Sequence, residues 1–377
     1  MITVTDVKTR RDRRAFLDFP LDLYAGNLCF VPPLDMDERK IFRKDYVYND
    51  CCDSICFLAR KDGVIVGRIQ GIIQKASNEK RGERRARFGR FDAIDDPAVA
   101  EALFAAVESW ALENGMDTLC GPLGFSDLER EGLLIEGFDQ QATFEENYNA
   151  EYYQHLIEAC GFEKEVDWLG FRLYGPEGPE TLQELDELTA FIFRRYKLHF
   201  GPSRNTSDFL KRYADGIFEL LDKSYEQLYG TVPFTPGMKQ LMLDNFHLIV
   251  EPKYTAVILD ENDRVVCFGV AFASLSSALA GGRGRLTPLT ILRLLRCLKR
   301  PTGLDLGLVG VDPEYLNRGV SAVFSAAIMR MLSENERIGY ADTNLNLEDN
   351  YAILNQWRRF RKEQVKRYRA YVKKLKG

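Results

Sequence analysis

The alternation of apolar and polar positions divides the chain into two series of elements that follow the same order. In the first, the apolar runs Ile55 to Arg60 and Val64 to Ile73 flank Lys61-Asp62-Gly63, an Asp-Gly signal that predicts a tight β-hairpin. In the second, Thr255 to Leu259 and Val265 to Ala273 flank a polar turn from Asp260 to Arg264 and predict the same hairpin. Gly67 and Gly269 take matching places in the second strand of each. A basic connection follows, then a strand (Ala86 to Ala93; Leu304 to Val311) and an Asp-Pro pair, at Asp96-Pro97 and Asp312-Pro313. Asp as a cap and Pro at a first helical position predict helices over Ala98 to Asn114 and from about Val320 to Asn335. Each series then gives a short strand (Thr118 to Cys120; Tyr340 to Thr343) and a helix leading to a strand (Tyr152 to Cys160; Asn350 to Trp357). Helices near Arg11 to Tyr24 and Asp208 to Tyr229 precede them. The offset between matching elements is roughly 200 residues, as a duplication requires. Gly175-Pro176-Glu177-Gly178-Pro179-Glu180 continues neither periodicity, so the expected domains are 1–175 and 176–377.

Composition narrows the function. With 377 residues, 45% of them hydrophobic, the chain can bury two cores, and a net charge of -5 excludes a bulk polyanion binder. No apolar run is long enough to span a bilayer, and Met1 to Asp6 has no signal-peptide character, so the expected location is cytoplasmic, at most peripheral to the inner face of the membrane. Eight cysteines are too dilute for a disulfide framework, and with three isolated histidines no metal site is expected. The same scarcity removes the base that a Ser-His or Cys-His hydrolase needs. The basic tract 358–377 holds ten Lys or Arg against Glu363 alone, but Tyr368, Tyr371 and Val372 interleave with it as in a final strand, which disfavours nucleic acid as the partner.

Candidate chemistry centres on Val311-Asp312-Pro313-Glu314-Tyr315-Leu316-Asn317-Arg318-Gly319-Val320-Ser321. Free N–H groups at a helix start suit a pyrophosphate, Gly319 lets oxygen atoms approach the backbone, and Arg318 adds charge. This run and the order of elements resemble the GNAT N-acetyltransferase superfamily. Its loop reads Gln or Arg, two variable residues, Gly, one variable, then Gly or Ala; Arg318-Gly319 match its core, while Leu316 and Ser321 depart from it. The resemblance implies an α/β (α+β) fold of two tandem GNAT-like acyl-CoA N-acyltransferase domains, each a mixed, mostly antiparallel sheet flanked by helices. It implies a coenzyme A thioester, acetyl-CoA or longer, whose pantetheine pairs with the strand at Val309 and Val311. Asn317, Arg318, Gly319, Val320 and Ser321 are then expected to hold its phosphates, with Asn350 as a further cofactor contact. Family members carry an Asn followed seven residues later by a Tyr that protonates the leaving thiolate; here Asn350 is followed by Trp357. Tyr351, Tyr340 or a water is left for that role, with Asp305 or Glu348 as base. Asn344 and Asn346 read either as substrate-orienting groups or as turn formers. In the first series Ile94-Asp95-Asp96-Pro97 has no glycine and sets carboxylates where phosphate would sit, so Asp95 and Asp96 are expected to be helix caps and the first domain a degenerate copy that shapes the cleft.

After Thr287-Pro288 a helix is predicted with Leu289, Ile291, Leu292, Leu294, Leu295 and Leu298 on a broad face and Arg293, Arg296, Lys299 and Arg300 opposite. Two readings remain: packing on its own domain, or contact through 288–300 with an anionic membrane or an acyl chain. The basic stretch Lys75 to Arg90 holds the same place in the first series, which predicts that both cleft mouths are positive. The expected function is acyl-CoA-dependent N-acylation of an amine, a small molecule or a long-chain lipid amine of the sphingoid type. Its rivals are a non-catalytic GNAT-fold binding protein and a Fem-type aminoacyl or peptidyl transferase.

Overall fold

The computed structural model describes residues 1–176 and 178–376, with the side chains of Pro179 and Asn317 outside that description. The first half runs β1 (Ile2–Asp6), α1 (Arg10–Leu23), α2 (Asp35–Glu38), β2 (Cys52–Lys61), β3 (Val64–Gln74), α3 (Lys75–Arg81), β4 (Arg85–Ala93), α4 (Pro97–Glu113), β5 (Thr118–Gly121), β6 (Leu133–Glu136), α5 (Tyr153–Ala159) and β7 (Glu163–Tyr174). The second half opens with α6 (Pro179–Tyr196), β8 (His199–Phe200), α7 (Thr206–Tyr225), α8 (Pro236–Ile249), β9 (Thr255–Leu259), β10 (Val265–Ala273), α9 (Ser276–Leu279) and α10 (Pro288–Lys299). It ends with β11 (Gly303–Val311), α11 (Val320–Ser333), β12 (Tyr340–Thr343), β13 (Asn346–Leu347), α12 (Tyr351–Gln356) and β14 (Arg361–Lys374).

Two compact units form, and they differ from the halves in sequence. One contains Met1–Trp168, Ser276–Arg293 and the chain from Lys366 on; the other contains Leu169–Leu275 and Leu294–Val365. The last strand of each half is thereby exchanged. The end of β7 pairs with β12 in the second unit, Arg172 opposite Asp342, and the end of β14 pairs with β5 in the first, from Tyr371↔Gly121 to Lys374↔Thr118.

The first unit's sheet follows the order β1-β2-β3-β4-β5-β14, with β4 and β5 parallel and the other neighbours antiparallel. Asp62 and Gly63 both take positive φ, 51° and 84°, the two-residue turn whose twist suits a hairpin. The helix α4 packs on one face, with Val99, Leu103, Phe104 and Val107 buried against β3 and β4. The C-terminal strand belongs to this core: Tyr368 and Tyr371 are fully buried, Lys366 pairs with Glu146 out of contact with water, and the buried Asp167 takes Arg369 at 2.7 Å and Arg367 at 3.2 Å. Those ion pairs explain why so basic a tract can lie inside the protein.

The second unit's sheet follows β7-β12-β11-β10-β9-β8, with β11 and β12 parallel. Its core lies under α6 and α11, where Ile192, Val320, Phe324 and Ile328 cover Val266, Ala271, Leu304 and Leu306. Gly269 is required there, because a Cβ would stand 1.6 Å from the Phe324 ring. The helix α7 packs against β10 and β11. Neither α6 nor α8 was anticipated from the sequence pattern. Among the described residues no helix is long and apolar enough to cross a membrane.

Because β14 completes the first unit, ending the chain after Val365 is expected to abolish that unit's cooperative melting, and Tyr371→Ala in the full chain to cost about 3–5 kcal/mol. Chemical denaturation followed by circular dichroism checks both.

Candidate functional site

Pairing between β11 and β12 lasts only from Gly303↔Tyr340 to Leu306↔Thr343. Beyond it, Ala271↔Leu306 gives way to Gly269↔Val309 on the β10 side, so Gly307 and Leu308 face the single residue Val270 in a β-bulge. The bulge turns β11 away from β12 and opens a V. Asp312 N–H donates to Val266 O at 2.9 Å, which fixes the phase of the antiparallel ladder. Bonded and non-bonded pairs alternate, so Val309 and Val311 direct their N–H and C=O groups away from β10, into the V. Asn344 closes its apex, donating from N to Leu306 O at 3.0 Å and from Nδ2 to Gly307 O at 3.4 Å. At the open end Tyr225, the last residue of α7, donates its hydroxyl to Val309 O at 2.9 Å.

The buried Asp305 lies on β11 two residues before the bulge, in register with Asp342 on β12. Asp342 is held bidentately by Arg172 at 2.8 Å, and that guanidinium also lies over the Tyr340 ring at 4.3 Å. Burial first, then the Asp342 charge, push the Tyr340 hydroxyl up, so it stays protonated and is no base at neutral pH.

After β11, the buried Asp312 caps a 3-10 turn over Pro313–Arg318 by accepting Glu314 N–H at 2.9 Å, and it pairs with Lys223 and Arg264. Gly319 then takes φ 79°, a left-handed conformation that L side chains avoid, and α11 starts with no side-chain cap. Its first N–H groups are therefore not taken by a cap, and Arg318 stands beside them, stacked over the Tyr315 ring at 4.7 Å and Tyr196 at 5.5 Å. Val320 is buried and Ser321 half-buried in the first turn; the Asn317 side chain lies outside the described residues.

The expected residues of the last helix are placed differently. Asn350 caps α12 by accepting Ile353 N–H, Tyr351 is 68% exposed on its first turn, and Glu348 is half-buried just before it. Trp357 is buried and donates Nε1–H to Asn346 at 3.1 Å. Asn346 spends its Nδ2 on Thr343, Leu169 and Asn344, so of its two readings the structural one holds. Sequence reasoning missed Tyr225: it lies within the expected helix Asp208 to Tyr229, but nothing local ties it to a carbonyl 84 positions away.

The first copy keeps the backbone of this site and fills it. Its β4 bulges at Arg90 and Phe91, opposite Ile69, and parts from β5 after Arg87↔Cys120. Leu123 N–H then donates to Phe88 O at 2.8 Å, and Arg90, at φ 45°, sends its guanidinium to Glu38 at 2.8 and 2.9 Å and to Gln70 at 2.7 Å. Asp96 caps α4 through Ala98 N–H and binds Lys61, whereas the exposed Asp95 makes no cap. The basic stretch is neutralised rather than open: Lys75 pairs with Asp53, Arg84 with Asp117 and Arg85 with Glu165. The expectation of two positive mouths thus fails for this copy.

The folds that the chain superposes on define its class. It matches a tandem GNAT protein from the clavulanic acid biosynthesis pathway with a TM-score of 0.58 at 11% identity, over 100% of this chain and 99% of that one. It matches the GCN5-related glucosamine N-acetyltransferase region of a fungal multi-domain β-N-acetylglucosaminidase with a TM-score of 0.57 at 13% identity, over 99% of this chain and 38% of that one. The fold is that of tandem GNAT proteins. No family model matches the sequence. In sequence the chain is similar to protein YghO of Escherichia coli strain K12, 28% identical over 97% of this chain and 94% of that protein. It is also similar to the bacterial ceramide synthase of Caulobacter vibrioides, 26% identical over 79% of this chain and 77% of that enzyme.

Burial alone would raise the Glu38 carboxyl, but Arg90 beside it brings it down to about 2. A folded value below the ordinary one stabilises the protein above the usual glutamate range, and that contribution is lost as pH falls towards 2. Glu38→Gln, which leaves Arg90 short of a partner, is expected to cost about 3 kcal/mol at neutral pH and to flatten the acid limb. Urea unfolding at a series of pH values measures both effects.

Proposed function

We propose that the chain is an N-acyltransferase that uses a coenzyme A thioester, acetyl-CoA or longer, and acylates the amine of a long-chain lipid acceptor met at a membrane surface through 288–300. The observation that carries the reading is the V at the β11 bulge, with strand backbone turned into it and an uncapped helix start at Gly319 beyond it. These features fit the two polar parts of such a donor. Val309 and Val311 offer amide groups to a pantetheine arm. The N–H groups of Val320 and Ser321 offer donors to a pyrophosphate, with Arg318, Asn317 and Asn350 as further contacts. The similarity to a ceramide synthase over most of both chains supports a lipid amine as acceptor.

The thioester supplies the activated acyl carbonyl, and the chain supplies the proton transfers. As the amine nitrogen bonds to the carbonyl carbon and the carbon–sulfur bond breaks, Asp305 takes the proton the amine loses. Glu348, nearer solvent, is the second candidate base. A proton must also reach the departing thiolate. The hydroxyl of Tyr225 is already in the V, whereas Tyr351 stands exposed on α12, so Tyr225 is the donor we favour.

In the first copy the matching positions oppose this chemistry. Counting back from the two bulges, the apolar Phe88 takes the place of Asp305, and Arg90 stands at the bulge itself. One donor site per chain follows. Calorimetry with acetyl-CoA and palmitoyl-CoA should show one site, weakened about 10- to 100-fold by Arg318→Glu and more by Gly319→Glu, and unchanged by Asp95→Ala. Binding that ignores both loop variants removes the reading. Asp305→Asn and Tyr225→Phe should each lower kcat by about 10²-fold or more at unchanged donor affinity, Tyr225→Phe also moving the alkaline limb of the pH profile. A chain that binds acyl-CoA but acylates no amine is a binding module, and one that accepts only aminoacyl donors is a Fem-type transferase.

A further inference from the structure

The helix α10 settles differently from an ordinary surface helix. None of its twelve residues is buried, although half of them are leucine or isoleucine. Leu289, Ile291, Leu292 and Leu295 are all exposed, Leu292 by 65%, and Leu286 just before the helix is exposed as well. The packing reading of this segment therefore fails for its apolar face. Isolated exposed leucines need no explanation, but a contiguous set on one helix does.

The lead-in to α10 belongs to the first unit and is anchored there. Asp35 N–H donates to Gly284 O at 2.8 Å, and Arg283 pairs with Asp22 at 2.8 Å. This brings the segment beside the loop before α2, where a Cβ on Gly281 would lie 4.0 Å from Leu28 Cδ2. Leu28 is itself 69% exposed, and Met36 on α2 is exposed too. The first unit thus presents Leu28, Met36, Leu286, Leu289 and Leu292 on neighbouring segments.

Charge identifies what covers this surface. Arg285, Arg293, Arg296, Lys299 and Arg300 make no ion pair among the described residues. The nearby acids are already engaged: Asp22 by Arg283, Asp18 by Arg14, Asp35 by Arg39 and Asp37 by Lys40. A protein partner offering only an apolar groove would leave five cations unanswered. A headgroup layer of anionic lipid answers both, taking the leucines at the acyl boundary and the guanidinium groups at the phosphates.

We infer that α10 is a docking element for anionic bilayers, and that its first part, up to Arg293, shares that face with the loop Leu28 to Met36 of the same unit. The inference deepens the lipid-amine reading, because it names where the acceptor enters, but it rests on this surface alone and its test reads binding rather than turnover. The intact chain is floated with phosphatidylglycerol-containing vesicles and with pure phosphatidylcholine vesicles, at low and at high salt, and its mass is followed by light scattering. The expected result is a monomer that floats with the anionic vesicles at low salt and much less at high salt. Arg293→Glu with Arg296→Glu should weaken binding about thirtyfold, and Leu289→Ser with Leu292→Ser should prevent stable flotation even at low salt. All four side chains are exposed, so the variants should keep the wild-type melting curve and acetyl-CoA affinity. Wild type that stays with the unbound fraction overturns the inference, as do variants that float like wild type. So does a dimer that Leu292→Ser dissociates, which would make this face a contact between two copies. Loss of acyl-CoA binding with flotation intact would sink the catalytic reading and leave this one standing.

Discussion

The second unit depends on one extra residue in β11. Placing Gly307 and Leu308 opposite Val270 bends the strand, and a bent strand cannot stay paired with a straight parallel neighbour. Everything chemical in the unit is downstream of that geometric misfit. The backbone of Val309 and Val311 loses a strand partner and gains an open space, and the strand delivers the turn at Gly319 beyond that space. The side chain of Asp305 stays at its base, still held in the ladder.

The two copies share this constraint, which makes their differences informative. A bulge leaves backbone polar groups that must be satisfied. In the first copy Leu123 takes the Phe88 carbonyl, and the bulged Arg90 fills the opening with a side-chain network to Glu38, Gln70 and Glu129. In the second, Asn344 takes the Leu306 and Gly307 carbonyls and Tyr225 takes the Val309 carbonyl, all by neutral hydrogen bonds. The two copies thus fill the same bulge differently without a change of fold.

The hairpins, the crossover helices and the repeat were legible because each rests on local chemistry. Asp62-Gly63 dictates its turn wherever the strands go, and Asp96-Pro97 caps a helix without help from the rest of the chain. The Gly319 turn was readable for the same reason. What could not be read depends on partners distant in sequence. Trp357 was recognised as the wrong residue for an acid, but its bond to Asn346 and the tyrosine that enters the V from α7 are facts of packing. The basic stretch Lys75 to Arg90 misled because its neutralising acids, Asp53, Asp117 and Glu165, lie elsewhere in the sequence. Among the described residues the same pattern in α10 has no such acids, and composition alone cannot separate the two cases.

The exchange of terminal strands has a consequence for synthesis in the cell. A chain emerging from the ribosome shows the first unit's strands early, but the strand that covers the edge of β5 is made only after β8 to β13. Until β14 emerges, that edge presents open backbone groups, the kind of template on which nascent chains pair wrongly. Domains that close as they emerge escape this hazard; here the first unit must wait for the whole of the second half to be translated. The order of folding is thus set by the exchange. The first unit closes with a strand encoded after the second unit's own elements.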